Sequence, residues 1–261
     1  MNFEPFLNEY GLKIPCLIFI TLLGICIGSF LNVLIFRIPR KEEFVKTSSH
    51  CLTCGHKLAW YDNIPLVSYI LIKGKCRYCG VKLSKQYPII EAVNGLLWLS
   101  ILLLNGINAD SILISLMTSG LLAMSVIDFK TYEIPDGFHF YFGALALVHL
   151  FLHKEEWLTY IIGFFSVSIL LLLIYLFSKG RAIGGGDVKL MAVCGMFLGW
   201  KGSILALFIG CVVGAIIHLT RMKISKADRV LAMGPYLAFG IVTSALFGSQ
   251  IISWYMTLFN F

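Results

Sequence analysis

The stretch "WLTYIIGFFSVSILLLLIYLF" at residues 157–177 decides the fold class, because it holds 21 residues and no charged side chain. A helix rises about 1.5 Å per residue, so this run is long enough to cross the roughly 30 Å hydrocarbon core of a bilayer. The whole chain has the same character, since 58% of its 261 residues are hydrophobic and only 13% are charged. The stretch therefore predicts one membrane-spanning helix of an all-α polytopic membrane protein.

Further apolar runs bring the predicted total to about eight transmembrane helices. We place them at 14–36, 88–104, 111–127, 137–153, 157–177, 188–200, 202–220 and 234–258. The first run lacks a basic segment before it and a small-residue cleavage site, so we interpret it as a retained span and not as a signal peptide. Three regions are predicted: an N-terminal segment with the first helix (1–36), a long connection (37–87) and a seven-helix membrane domain (88–261).

The distribution of Lys and Arg predicts the orientation, because basic residues in short loops stay on the cytoplasmic side. Ten of the 21 basic residues lie in the connection 37–87. With this connection inside, 17 basic residues fall on the inner side and three on the outer side, and both termini lie outside. The net charge of +7 is thus explained by topology and by contact with anionic membrane lipids, and we predict no nucleic-acid partner.

The connection 37–87 contains an internal repeat, "CLTCGHKL" at 51–58 and "CRYCGVKL" at 76–83. Two Cys-x-x-Cys-Gly turns supply four thiolates, which is the ligand set of a tetrahedral Zn²⁺ site. The predicted ligands are Cys51, Cys54, Cys76 and Cys79. A pair of disulfides is the alternative, but the reducing cytoplasm predicted for this loop disfavours it. We predict a small zinc-binding cytoplasmic domain between the first and second transmembrane helices, folded by a structural metal.

Two acidic residues at the ends of predicted spans are catalytic candidates, because a charge at membrane depth is costly without a function. Asp128 ends the third span and Asp187 begins the sixth, and the two spans between them return the chain to the same membrane face. Neighbouring carboxylates share a proton, so one can activate water while the other polarises a peptide carbonyl. This is the chemistry of aspartic proteases. The alternative for Asp187 is a helix N-cap after three glycines.

These residues resemble one family along nearly the whole chain, the bacterial type IV prepilin peptidases of the GxGD aspartyl protease class. The segments "GSFLNVLIFRIPR" at 28–40 and "YPIIEAVNGLLW" at 87–98 are similar to family motifs, and the 21 residues between the two cysteine pairs match the family spacing. Two protease motifs also match, one formed by Asp128, Ile134, Pro135 and Asp136 and the other by Gly184, Gly186 and Asp187.

The resemblance implies a bifunctional enzyme of the bacterial inner membrane. Such an enzyme cuts the basic leader from prepilins and pseudopilins after a glycine at the cytoplasmic face, with Asp128 and Asp187 as the catalytic pair. It then methylates the new N-terminal residue, usually phenylalanine, with S-adenosylmethionine. The methyl-transfer candidates implied by the family motifs are Gly28, Ser29, Asn32, Arg37, Gly74, Lys75 and Glu91.

The methyl-transfer candidates have structural alternatives. Gly28 would serve equally in a close helix contact, and Arg37 would serve as an interfacial residue whose head group reaches water. For Glu91 we favour a functional role, because an acid just inside a span needs a partner, and the amine to be methylated is one.

Two other functions stay open at this point. The first is a GxGD peptidase without methyltransferase activity, which the intact four-cysteine loop disfavours, since peptidase-only relatives typically lack it. The second is an ion-coupled transporter that uses Asp128 and Asp187 as an ion pathway. A transporter more often places acids near the bilayer midplane and repeats its spans, whereas the repeat found here lies in the cysteine loop.

Overall fold

The computed structural model describes residues 13–43, 49–225 and 231–258. The predicted N-terminal segment before the first helix, residues 1–12, lies outside the described residues. So do three of the basic residues used to predict the orientation, Lys46, Lys226 and Arg229. The described chain is helical and contains no strand, which confirms the all-α class.

The described residues form eight α-helices, which we number in chain order. They are α1 (Lys13–Arg37), α2 (Val67–Leu71), α3 (Gln86–Asn105), α4 (Ala109–Thr131), α5 (Asp136–Leu152), α6 (Trp157–Ser178), α7 (Gly185–Ser225) and α8 (Gly234–Leu258). Short 3₁₀ helices occur at Trp60–Asn63 and Lys154–Glu156.

Six of the described helices, α1, α3, α4, α6, α7 and α8, are long and apolar enough to cross a membrane, as expected of a multi-pass membrane protein. The prediction of eight spans differs from this in two places. The predicted span 137–153 is α5, an apolar helix of 17 residues that is shorter than each of the six candidate spans. The predicted spans 188–200 and 202–220 are the two arms of α7, which bends at Gly199, where φ is 72°.

The chain divides into two compact units, the first ending at Ile107 and the second beginning at Asn108. The first unit contains α1, the cysteine loop, α2 and α3, and the second contains α4 to α8. The predicted boundaries at residues 36 and 87, which follow the ends of the apolar runs, stay predictions.

Small residues allow α1 and α3 to approach closely in the first unit. A Cβ atom on Gly24 would lie 2.8 Å from Cγ of Trp98, and one on Gly28 would lie 2.8 Å from Cα of Glu91. Asn94 donates a side-chain hydrogen bond to the Gly24 carbonyl at 2.7 Å. Gly28 therefore has the structural role given above as the alternative: a glycine is required there because two membrane helices touch.

The long helix α7 packs against α5, α6 and α8 in the second unit. Gly163 of α6 faces the backbone of Gly195 in α7, and Gly240 of α8 faces the backbone of Ala206 in α7. A side chain at any of these glycines would separate the helices, because the neighbouring backbone already fills the space. These contacts fix α7 within the unit, and with it the acid at its start.

The helix α4 is the most buried of the candidate spans and carries the other acid. The hydroxyl groups of Ser115, Thr118 and Ser119 donate to carbonyls four residues earlier, at 2.7 to 3.0 Å, so these polar groups are satisfied inside the apolar unit. The helix ends where Tyr132 adopts a left-handed conformation with φ of 57°. Asp128 lies one turn before this end.

Candidate functional site

Asp128 is buried at the end of α4, with 4% of its surface exposed. Its Oδ2 atom accepts a hydrogen bond of 2.9 Å from the N–H of Gly234, the first residue of α8. The free N–H groups at a helix N-terminus are favourable partners for a carboxylate. This contact holds the Asp128 side chain in one place against the start of α8.

Gly234 is a site residue that the sequence analysis missed. A Cβ atom at this position would lie 2.7 Å from Oδ2 of Asp128 and 3.1 Å from its Cγ, so a glycine is needed for the carboxylate to reach the backbone. The available signal was the pair Gly234–Pro235 at the start of an apolar span, a combination suited to the start of a helix. That signal predicts a helix boundary, but it does not identify the acid that meets it.

Asp187 is the third residue of α7 and is 8% exposed. This position lies inside the helix, whereas the N-cap alternative requires the residue that precedes it. The carboxylate of Asp128 is close enough for the two charges to interact. A Cβ atom on Gly184 would lie 3.2 Å from Oδ2 of Asp187, so this glycine leaves space beside the carboxylate. The second unit therefore brings together two acids that are 59 positions apart.

The two protease motifs touch each other next to the acid pair. A Cβ atom on Gly186 would lie 3.1 Å from Cβ of Ile134, and the Gly186 carbonyl lies 3.0 Å from Nε2 of the buried His139. His139 was not a predicted site residue. Because a carbonyl oxygen only accepts, Nε2 of His139 carries the proton of this bond. The glycine of one motif is therefore held by residues on both sides of the start of α5.

Asp136 connects the starts of α5 and α7 and is not one of the paired acids. Its Oδ1 atom accepts a hydrogen bond of 2.7 Å from Nζ of Lys189, and it lies 3.5 Å from Nδ1 of His139. Pro135 precedes α5 in an extended conformation with φ of −62°. Pro135 and Asp136, two residues of one predicted protease motif, therefore lie at the start of α5, and Asp136 joins it to the start of α7.

The four predicted zinc ligands converge. Their sulfur atoms all lie within 4.8 Å of one another. The Sγ atoms of Cys51 and Cys79 are 3.9 Å apart, far longer than a disulfide bond and close to the ~3.8 Å edge of a zinc–sulfur tetrahedron. Gly55 and Gly80 follow the two Cys-x-x-Cys turns with φ of 68° and 72°, conformations that favour glycine.

Backbone amides stabilise the thiolate of Cys51, one of the four predicted sulfur ligands. The N–H groups of Cys54 and Thr53 donate to the sulfur of Cys51 and lower the pKa of its thiol to about 6. A thiolate is the form that binds zinc, so this turn already favours the ligand state before the metal arrives. The chemistry of the four donors fits Zn²⁺.

A cavity of about 300 Å³ lies in the first unit, lined by α1, α3 and the cysteine loop. Four predicted methyl-transfer candidates line it: Ser29, Asn32, Arg37 and Glu91. Three others do not: Gly28, Gly74 and Lys75. The volume is at the lower end of the range of small-molecule sites.

Glu91 is a buried acid that lines this cavity. Its Oε2 atom accepts a hydrogen bond of 2.8 Å from the N–H of Leu66, and the side chain of Ser29 also interacts with the carboxylate. Leu66 has φ of 60°, a region that residues other than glycine rarely adopt. The acid therefore has partners from α1 and from the loop, and one of these partners has strained backbone.

Arg37 and Asn32 are also fixed by hydrogen bonds. Nη1 of Arg37 donates to the Glu43 carbonyl at 3.1 Å, and Nδ2 of Asn32 donates to the Tyr87 carbonyl at 3.1 Å. Only 7% of Arg37 is exposed, which disagrees with the alternative of an interfacial arginine, because that role keeps the head group in water.

Gly74 and Lys75 shape the second cysteine turn. Gly74 has φ of 66°, and a Cβ atom there would lie 2.9 Å from the Tyr69 hydroxyl. Its carbonyl accepts a hydrogen bond of 2.8 Å from Leu83, and Lys75 forms an antiparallel bridge with Lys82. Both residues lie on the turn that orients the second cysteine pair.

Comparison with known proteins identifies the family. The model of the bacterial peptidase A24 N-terminal domain matches residues 22–104, and the model of the type IV leader peptidase family matches residues 115–219. A Stutzerimonas stutzeri protein named prepilin leader peptidase/N-methyltransferase is 31% identical over 264 residues, covering 90% of this chain and 91% of that protein. The chain belongs to the type IV leader peptidase family.

Other members of the type IV leader peptidase family with the same name are similarly related. The protein of Pseudomonas aeruginosa is 31% identical, and the match covers 92% of this chain and 93% of that protein. The protein of Myxococcus xanthus is 32% identical, with 77% of this chain covered but only 62% of that protein, so the chain spans less than two thirds of its length. No solved structure matches the chain.

The family matches divide as the two units do and confirm the resemblance stated from the motifs. The N-terminal match contains the four cysteines and Glu91, and the type IV leader peptidase match contains Asp128 and Asp187. Gly234, the partner of Asp128, lies beyond both matched ranges.

Proposed function

We propose that the chain is a bifunctional membrane enzyme, a leader peptidase and an N-methyltransferase. Its substrates are prepilins and pseudopilins, whose basic leader it removes after a glycine. It then methylates the new N-terminal residue, usually phenylalanine, with S-adenosylmethionine. Family membership supports both activities, as does the name that the similar proteins share, prepilin leader peptidase/N-methyltransferase.

The observation that carries the peptidase proposal is the position of Asp128 beside Asp187. Both carboxylates are buried, and they come from different helices of one compact unit. A pair of acids sharing one proton has the two groups that peptide hydrolysis needs, a base for water and a donor for the carbonyl. Gly184 and Gly234 leave both carboxylates without a neighbouring side chain at these positions, which suits the approach of a substrate backbone.

The proposed reaction takes place at the cytoplasmic face. Asp128 is near the end of α4 and Asp187 at the start of α7, so both acids lie at the edges of spans and not at their centres. A prepilin places its basic leader before a long apolar helix, and its cleavage point therefore lies at a membrane boundary. The excess of basic residues in the predicted inner loops supports the cytoplasmic side.

The proposed methyl-transfer site is the cavity of the first unit. S-adenosylmethionine, when bound, supplies the methyl group. Glu91 would hold the new N-terminal amine, because its buried carboxylate is already oriented by the Leu66 N–H and is suited to a cationic partner. The guanidinium of Arg37, which lines the same cavity, would attract the carboxylate of a ligand.

The four cysteines would hold a structural Zn²⁺ ion. The loop is short and has little apolar core, so a metal would fix its conformation. Cys51 and Cys76 also line the cavity, and the proposed metal would therefore maintain one wall of the methyl-transfer site.

The test of this function uses the purified full chain, a prepilin and S-adenosylmethionine, with the product weighed by mass spectrometry. We expect loss of the leader without S-adenosylmethionine and the further gain of one methyl group when it is present. A prepilin with a bulky residue in place of the glycine before the cut serves as control. An intact prepilin would contradict the peptidase, and a cleaved but unmethylated product would support a peptidase alone.

Replacing Glu91 with glutamine is expected to lower methyl transfer by ~10- to 100-fold, the value of a hydrogen bond to a charged group. Glutamine keeps an acceptor for the Leu66 N–H but loses the negative charge that holds the amine. Leader cleavage is expected to be unchanged. The readout is methyl incorporation into pre-cleaved pilin, with the exposed Glu43→Gln variant as control. Normal methylation in E91Q would exclude the assigned role.

Replacing Gly234 with alanine is expected to lower leader cleavage on the order of 10- to 100-fold, since small displacements of a catalytic group are costly. The added methyl group would lie 2.7 Å from Oδ2 of Asp128 and would push the carboxylate away. Gly137→Ala is the matched control, because a Cβ atom there has no neighbour within 4 Å. Equal cleavage rates in both variants would show that the contact does not position Asp128.

A further inference from the structure

A second cluster of ionisable residues lies at the other ends of α4 and α5. Asp110 is in the first turn of α4, His149 is in the last turn of α5, and His153 directly follows that helix. Asp128 lies 18 positions after Asp110 on the same helix, which corresponds to about 27 Å. The cluster is thus separated from the acid pair by nearly the thickness of a bilayer core.

The three side chains converge with spacings that suit a metal ion. Nε2 of His153 lies 3.4 Å from Oδ2 of Asp110, and Nε2 of His149 lies 3.9 Å from Oδ1 of Asp110. One possible ligand atom from each residue lies within 4.8 Å of the other two. Ligands bound to zinc at 2.0 to 2.2 Å in a tetrahedron are about 3.3 Å apart, so only small side-chain adjustments are needed.

The hydrogen bond of His153 determines which of its nitrogens is available. Nδ1 lies 3.1 Å from the His149 carbonyl, and a carbonyl only accepts, so Nδ1 carries a proton. In a neutral ring, Nε2 then has a lone pair directed at a carboxylate oxygen of Asp110. Two acceptors at this distance repel each other unless a proton or a metal ion lies between them. A ring held by its other nitrogen on a backbone carbonyl is also the usual arrangement of a metal-binding histidine.

The ring of His149 is held by packing, and buried polar atoms of His149 and Asp110 lack hydrogen-bond partners among the described residues. Its ring lies 4.4 Å from that of His153 and 4.4 Å from that of Phe197, measured between centroids. Nδ1 of His149 and Oδ1 of Asp110 are buried without a hydrogen-bond partner among the described residues. Buried polar atoms normally have partners, and an ion in this cluster would supply one for the Asp110 oxygen.

We propose that Asp110, His149 and His153 bind a divalent transition-metal ion of the zinc class. Two imidazoles and one carboxylate are a known zinc ligand set, and they leave a coordination position for water. The ion joins the start of α4 to the end of α5 and so fixes these helix ends at the membrane side opposite the acid pair. This site does not depend on the proposed function, because it shares no residue with the acid pair, the cysteine cluster or the cavity.

The competing explanation is a protonated histidine paired with Asp110, and zinc content separates the two. The full chain is equilibrated with one to three equivalents of Zn²⁺, free metal is removed, and zinc per chain is measured by mass spectrometry. We expect His149→Gln/His153→Gln to hold one zinc fewer than the unmodified chain. The controls, Glu155→Gln and His218→Gln, are expected to hold the same amount as the unmodified chain. Equal zinc content in the double variant would overturn the proposal.

Two Asp110 variants further distinguish a bound metal ion from a carboxylate–imidazolium pair. Asp110→Asn is expected to lose the same zinc ion, because a neutral amide is a poor ligand, whereas Asp110→His is expected to keep it. A carboxylate–imidazolium pair predicts no zinc difference between these variants. The His153→Gln variant tests whether the loss of zinc is due to misfolding, because His153 is partly exposed and its replacement should leave the fold intact. Its helical circular dichroism is expected to match that of the unmodified chain while one zinc is lost.

Discussion

Replacing either Asp128 or Asp187 with asparagine is expected to reduce leader cleavage by roughly 10³- to 10⁶-fold, and replacing both is expected to cost no more than replacing one. The two carboxylates are buried together and would act as one unit, so the loss of either already removes the shared proton and the base. The measurement is the initial rate of leader release from a prepilin, with products separated by mass. Costs that multiply in the double variant would show two independent groups in place of a pair.

The control for this experiment is methyl transfer to a pilin whose leader has already been removed. The proposed methyl-transfer residues lie in the first compact unit, and both aspartates lie in the second. We therefore expect the Asp→Asn variants to methylate at the normal rate, which would also show that the chain is folded. The exposed Glu155→Gln variant is expected to keep both activities, because it changes an acid in the second unit that is outside the pair.

Local sequence patterns predicted most of the helical segments and the cysteine cluster. Apolar runs predicted helical segments in the right places, and the Cys-x-x-Cys repeat predicted four residues whose sulfur atoms do converge. Both patterns are local. A long run without charged residues predicts a membrane helix, and two cysteines separated by two residues predict a turn that can bind a metal. The bend of α7 was predicted as a boundary between two spans, because Lys201, two positions after Gly199, interrupts the apolar run in the same way as a loop.

Contacts between distant residues could not be predicted from these patterns. The Gly234 N–H that meets Asp128 is 106 positions away, and Lys189, which meets Asp136, is 53 positions away. No local periodicity reports such pairs, since they depend on how whole helices pack. The positive φ of Leu66 was equally hidden, because residues other than glycine rarely adopt it and its N–H meets Glu91, which lies 25 positions away.

Replacing Cys76 with serine is expected to remove one zinc ion per chain and to abolish methyl transfer, while leader cleavage continues. Structural zinc sites of this kind contribute about 10 to 16 kcal/mol of apparent binding free energy, so a loop with little core of its own would lose its fold without the metal. Because Cys76 and Cys51 line the cavity, its wall would be lost as well. Zinc per chain, methyl incorporation and cleavage rate are measured on the same preparation.

The matched control for the zinc prediction is Cys211→Ser, which changes an exposed cysteine of α7 and is expected to leave all three measurements unchanged. Unaltered zinc in the Cys76 variant would contradict the ligand assignment, and lost zinc with normal methylation would separate the metal from the methyl-transfer site. The aspartate variants are expected to methylate without cleaving, and the Cys76 variant is expected to cleave without methylating. Finding both would assign one activity to each compact unit, because a general loss of fold would remove the two activities together.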